Sequence, residues 1–229
     1  TVAPDHTNNT LIDHSDPLGA AHYFHRPLDI RAALDALEAE GGPMNTAMVM
    51  LSGHSFGSYT SWAVGGAVYD PEAVAAVCAT GEGIHADGCT PEEAAMFGPA
   101  LADSRVVSVM PMAGTISRTW FGSAGEYGVG GPVLFFGGSN DDVGQDTQFE
   151  EMGEIDFTWM ELEGGCHQSF ALGACSTLDP ALGFELVQTI ALAFVRLTVL
   201  GDTSGESADI VAGDLSLSDI VTTWRRTGG

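Results

Sequence analysis

The chain contains no lysine, and its seven basic residues, all arginine, face 31 acidic ones for a formal net charge of −24. A surface that negative repels phosphodiester backbones and anionic lipid headgroups, which argues against nucleic-acid binding and electrostatic membrane attachment. The carboxylates are scattered along the chain, so a disordered acidic tail is a poor description. They suit a protein that works in high salt, where screening shortens self-repulsion, or an acidic extracellular protein with no salt preference. Also missing is any run of about 18 uninterrupted apolar residues, the length that a membrane span requires. The nearest approach, Thr189 to Leu200, is broken by Arg196 and reads as a last amphipathic helix packed on a sheet. Metal-binding patterns are absent too. No cysteine pair has the spacing of structural zinc ligands, and none of His6, His14, His22, His25 and His85 forms the helical pair of zinc proteases. No cofactor is expected.

What is present is enough apolar material, 45% of 229 residues, for one sizeable core, together with 30 glycines suited to tight strand-to-helix loops. The most informative stretch is Gly53-His54-Ser55-Phe56-Gly57, directly after the apolar run Ala47 to Leu51 and before a helix-compatible segment, Ser58 to Val68. A strand feeding a sharp turn into a helix exposes a serine hydroxyl at its tip and demands neighbours without side chains. The same turn places the Phe56 amide at a helix N-terminus, where it can stabilise an oxyanion. A serine nucleophile needs a base, and the base an orienting acid. Downstream, Gly131 to Gly138 reads as a parallel core strand ending in glycines and running into Ser139-Asn140-Asp141-Asp142. Asp141 is the expected acid, with Asp142 the neighbouring alternative. A further strand, Phe157 to Leu162, is followed by Gly164-Gly165-Cys166-His167-Gln168-Ser169-Phe170, so His167 also stands beyond a strand's C-terminal end. Side chains from strand and turn alternate, which sends His54 away from Ser55 as a packing or hydrogen-bonding residue.

These segments resemble the α/β-hydrolase branch that holds bacterial platelet-activating-factor acetylhydrolase-like and dienelactone-hydrolase-like esterases, with bacterial polyester hydrolases as relatives. Upstream, Val2 to Thr7 and Arg26-Pro27-Leu28-Asp29-Ile30 are similar to the same group. The likeness covers about residues 1 to 200 and departs at Ser58, where the family usually carries another glycine. It implies an α/β-hydrolase fold, a mostly parallel sheet flanked by helices, and a serine carboxylic-ester hydrolase with Ser55, Asp141 and His167 as catalytic residues and Phe56 as oxyanion donor. Short-acyl esters and polyester-type polymers are both implied substrates. It also implies that the segment ending in Asp5-His6 is the fold's fourth strand. The three earlier strands, and a second oxyanion amide, are then expected from an N-terminal fragment or companion chain, or from a part of the same chain that this sequence does not include. The contrasting expectation is a non-catalytic remnant of the fold that binds a partner chain.

The four cysteines fall as close pairs, Cys78 with Cys89 and Cys166 with Cys175. Local pairing is favoured because each closes a short loop, worth about 2 to 3 kcal/mol apiece in chain-entropy terms. Disulfides would place the protein outside the cytoplasm, secreted or periplasmic, whereas buried thiols would suit a cytosolic enzyme. Elsewhere, Pro27 to Glu40 reads as a helix with proline in its first turn, stopped by Gly41-Gly42. Cys78 to Ser104, with a short helix from Pro91 to Phe97, is a candidate wall over the site. Arg105 to Pro111 is a strand. Trp120, Phe121 and Tyr127 either line a substrate pocket or pack beneath the sheet. Residues 1–200 form the catalytic domain in this reading, and residues 201–229 a tail packed on its surface.

Overall fold

Val133-Leu134-Phe135-Phe136 is apolar on both sides of the pleat, so the strand that it forms must be covered on both faces. A computed structural model, which describes residues 1–10, 19–80, 88–141, 148–171, 173–203 and 205–228, puts this strand at the centre of a five-stranded sheet. The elements run α1 (Ala21–Glu40), β1 (Val49–His54), α2 (Phe56–Val64), α3 (Pro71–Thr80), α4 (Pro91–Ala94) and β2 (Val106–Met112). They continue with α5 (Arg118–Phe121), β3 (Val133–Gly138), α6 (Gln148–Glu151), β4 (Phe157–Leu162), α7 (Pro180–Thr198), α8 (Glu206–Ala212) and β5 (Val221–Arg226). Strand order follows chain order. β1 to β4 are parallel and β5 pairs antiparallel with β4. This is an α/β fold.

Alternation along the strands divides the core in two. Val109, Val133, Phe135, Phe157 and Trp159 point to one side, against residues of α1, α2, α3 and α5. Met110, Leu134, Phe136, Met160 and Leu162 point to the other, against Leu186, Ile190, Ala193 and Phe194 of α7 and Ile210 and Val211 of α8. Every residue of β3 is buried, and removing each large side chain from water contributes roughly 1.5 to 3 kcal/mol. Among the described residues α7 alone is long and apolar enough to cross a membrane; here one face of it packs on the sheet.

Three expectations need correction. First, α1 begins at Ala21, so Pro27 lies inside it rather than in its first turn. Proline has no N–H for the carbonyl four residues earlier, that of Tyr23. The buried Tyr59 hydroxyl donates to that carbonyl at 2.8 Å, which removes the usual reason for the helix to stop. Second, residues 1–6 form no strand. Pro4 removes a ladder donor, and the segment is tied instead to α1: His6 Nδ1 lies 3.1 Å from Asp29 Oδ2, the Thr7 amide donates to the same oxygen, and Arg26 donates to Asn9. No strand lies against the outer edge of β1 among the described residues, and β1 stays half-exposed while β3 is sealed. Third, residues 201–229 are more than a surface tail. They supply α8, packed on α7, and β5, whose Trp224 stands opposite Trp159 with ring centroids 5.0 Å apart.

The aromatic residues after β2 join the core. Trp120 and Phe121 are fully buried against Tyr23, Tyr59, Tyr69 and Phe97, while Tyr127 is exposed and lines a groove at the N-terminal ends of β3 and β4, the rim opposite the one that carries Ser55.

Candidate active site

The turn between β1 and α2 is as tight as its glycines suggest. Ser55 has φ 56° and ψ −115°, a conformation that costs a side-chain-bearing residue about 1 to 3 kcal/mol. Any Cβ at Gly53 would overlap the Gly57 carbonyl, so that position admits glycine alone. Gly57 itself is less constrained: a Cβ there would find only Arg26 Nη2, at 3.9 Å. The Ser55 amide donates to the Met112 carbonyl, which locks the turn to the end of β2. Ser58, the position of departure from the resembled family's glycine, is buried, and among the described residues its hydroxyl has no hydrogen-bond partner.

Asp141 and His167 arrive from the ends of β3 and β4. The two loops are knitted together by backbone bonds, Ser139 N–H to Leu162 O at 3.1 Å and Asn140 N–H to Gly165 O at 2.9 Å. They approach so closely that a Cβ on Gly138 would overlap the Gly165 backbone. His167 opens a short 3-10 turn, His167–Phe170, stabilised by the Cys166 amide donating to Ser169 Oγ at 3.0 Å.

The outcome is a relay. His167 Nε2 is 2.9 Å from Ser55 Oγ, and His167 Nδ1 is 3.0 and 3.2 Å from the two Asp141 carboxylate oxygens. The Asp141 side chain is fully buried, while His167 keeps about a quarter of its side-chain surface, 27%, open to solvent. A carboxylate only accepts, so it holds the imidazole proton on Nδ1 and leaves Nε2 free to take a proton from the hydroxyl. The structure thus brings Ser55, Asp141 and His167 together at the C-terminal ends of parallel strands, where open sheets of this kind gather ligand-handling groups. Asp142 lies outside the described residues. Phe56 is the first residue of α2, so its amide has no carbonyl one turn behind it.

Two further residues stand beside the relay. Arg26 stacks over the Phe56 ring, 4.6 Å from its centroid, and donates to Thr60 Oγ1. Burial lowers its pKa to about 10. The sequence offered Arg26 only within a likeness to other proteins, because a cation's burial cannot be read from spacing. Alternation predicts a His54 side chain directed away from the relay, but its ring packs beside it, with its centroid 4.7 Å from that of His167. Its Nε2 is 2.8 Å from the His167 carbonyl oxygen. Burial lowers the pKa of this ring.

Both disulfides are present. Cys78–Cys89 links the end of α3 to the segment before α4, and Cys166–Cys175 brackets the His167 turn. Beside the loop after β2 is a groove of about 240 Å³ lined by Thr115, Ser117, Arg118, Gln148 and Glu151, among others. Gln148 Nε2 donates to the Gly114 carbonyl at 3.0 Å, which fixes the groove to the segment lying against Ser58. Among the described residues no cluster of three or more His, Cys, Asp or Glu side chains is placed to hold a metal ion; His14 and His85 lie outside them. Compared with known families and with curated proteins, the chain matches no family model and no curated sequence.

Proposed function

We propose that the chain is a serine carboxylic-ester hydrolase of the α/β-hydrolase type. The observation that supports this reading above all others is the unbroken Ser55–His167–Asp141 hydrogen-bond relay. Ser55 Oγ attacks the ester carbonyl while His167 Nε2 takes its proton, and Asp141 stabilises the imidazolium that results. The tetrahedral oxyanion is held by the Phe56 amide at the α2 N-terminus. His167 then protonates the leaving alcohol and activates the water that releases the acid. This chemistry calls on no cofactor.

The groove along Thr115 to Thr119 and Gln148 is open and mixed in polarity, which suits a short acyl group or one unit of a polyester better than a long alkyl chain. Both disulfides favour a secreted or periplasmic setting. The outer edge of β1, which no strand pairs with among the described residues, is the place where a further strand, from an N-terminal fragment or companion chain, would pair and bring a second oxyanion amide. That same edge favours the competing reading, a non-catalytic partner-binding remnant. Hydrolysis of p-nitrophenyl acetate and butyrate, and of a polyester film, decides between them. Turnover by the wild type that is lost in Ser55→Ala, with thermal stability kept, supports the enzyme. A folded wild type that hydrolyses no ester supports the remnant.

A further inference from the structure

His54 holds the base in place: the geometry points to it as the positioning residue that joins the nucleophile turn to the His167 turn. The inference rests on the hydrolase reading. β1 and β4 are separated by two strands, hence by roughly 14 Å across the sheet at ordinary strand spacing. His167 follows β4, yet its ring has to reach a serine at the tip of β1. The first part of its loop is fastened to the end of β3, through Ser139, Asn140 and the Ser139 hydroxyl that accepts from the Gly164 amide. Beyond Cys166 the turn still rests on the β3 side, with Phe170 packed near Phe136 and His167 Nδ1 bonded to Asp141, but the His167 ring and backbone also reach the nucleophile turn at the tip of β1. Two hydrogen bonds receive it there. One is the relay bond from His167 Nε2 to Ser55 Oγ, and the other joins His54 Nε2 to the His167 carbonyl.

The relay bond cannot provide a fixed mount, because it breaks and reforms as the proton moves. The His54 bond can, since it grips the His167 backbone. A carbonyl only accepts, so His54 carries its proton on Nε2. The rings of His54 and His167 also touch, with centroids 4.7 Å apart. The strained backbone of Ser55 fixes the direction of the residue before it, so one turn aims both the nucleophile and the clamp on its base.

The inference predicts a particular pattern of rescue. A glutamine amide nitrogen reaches the position of imidazole Nε2, whereas an asparagine nitrogen overlies Nδ1, which does not make this bond. The test compares wild type, His54→Phe, His54→Asn and His54→Gln. It reads kcat and KM for p-nitrophenyl acetate, the rate of fluorophosphonate labelling, and the melting temperature. Phe and Asn should lower kcat and labelling roughly tenfold or more with KM little changed, the scale on which a misplaced base slows catalysis. Gln should restore most of the rate. If His54→Phe does not fold, the Asn and Gln pair carries the comparison. Equal rates in Asn and Gln, or a raised KM at unchanged kcat (the mark of a substrate contact), would overturn the inference while leaving the hydrolase reading intact. A wild type inert to both ester and fluorophosphonate removes that reading, and the inference with it.

Discussion

Asp141→Asn is the substitution whose effect follows most directly from the geometry. Both carboxylate oxygens lie within 3.2 Å of His167 Nδ1, and the side chain is fully buried, so no water replaces the lost charge. Asparagine matches the shape of aspartate and leaves the loop as it is. It presents an amide nitrogen that donates, which favours the imidazole tautomer with its proton on Nε2, facing Ser55. In that state the ring cannot accept the serine proton, and the imidazolium formed during attack has no counter-charge. The expected loss in kcat is about 10⁴-fold, or about 5.5 kcal/mol of barrier, as for other serine triads that lose their acid in this way. The assay is steady-state hydrolysis of p-nitrophenyl butyrate, with thermal melts to show that the variant is folded. Asp142→Asn, made alongside, should keep kcat within a few-fold. If Asp142→Asn suffers the large loss and Asp141→Asn the small one, the acid has been misassigned. If neither falls by more than about tenfold, there is no acid–base relay of this kind.

Other outcomes concern the frame around the site. Tyr59→Phe removes the donor to the Tyr23 carbonyl opposite Pro27 and should cost about 1 to 3 kcal/mol in urea unfolding. In a Pro27→Ala background the restored backbone N–H serves that carbonyl, so the cost of Tyr59→Phe should shrink; an unchanged cost would refute this account of how α1 tolerates its proline. Burial pushes the Glu126 carboxyl up, but hydrogen bonds from Arg118 and from backbone amides outweigh it and leave its pKa below the usual value. A lowered folded-state pKa contributes stability above the ordinary carboxylate pKa and loses it as the pH falls through the folded value. Glu126→Gln should therefore lower the melting temperature at pH 7, with the gap from wild type closing in acid; a gap that widens in acid would contradict the assignment. Cys166→Ser with Cys175→Ser should cost about 2 to 3 kcal/mol. Ester turnover should fall further than that loss of stability explains, because the crosslink brackets the base. Unchanged kcat would show that the loop holds itself.

The relay was legible because each of its residues follows an apolar run long enough for one strand, and in a parallel sheet all such run-ends share one rim. The run Val133 to Phe136 was legible as a core strand from its unbroken apolar content alone. Pairing that depends on a distant side chain was less accessible. Nothing around Pro27 announces that Tyr59, 32 residues on, supplies the donor that lets α1 start at Ala21. β5 was hidden by its shortness and its polar content. Its alternating exposure, with Trp224 set against Trp159, becomes meaningful only once β5 is seen paired with the side of β4 away from β3. Trp120 and Phe121 had two open fates in the sequence, and the space between α1, α2 and α3 decided for packing.

The most direct measurement is peptide mapping after treatment of the native protein with a fluorophosphonate. Serine at a proton relay reacts because its hydroxyl is activated; an ordinary surface serine does not. The account predicts a single adduct on the peptide carrying Ser55, absent in His167→Ala and after denaturation. An unmodified Ser55 in the folded wild-type protein, or equal labelling with and without His167, would contradict it.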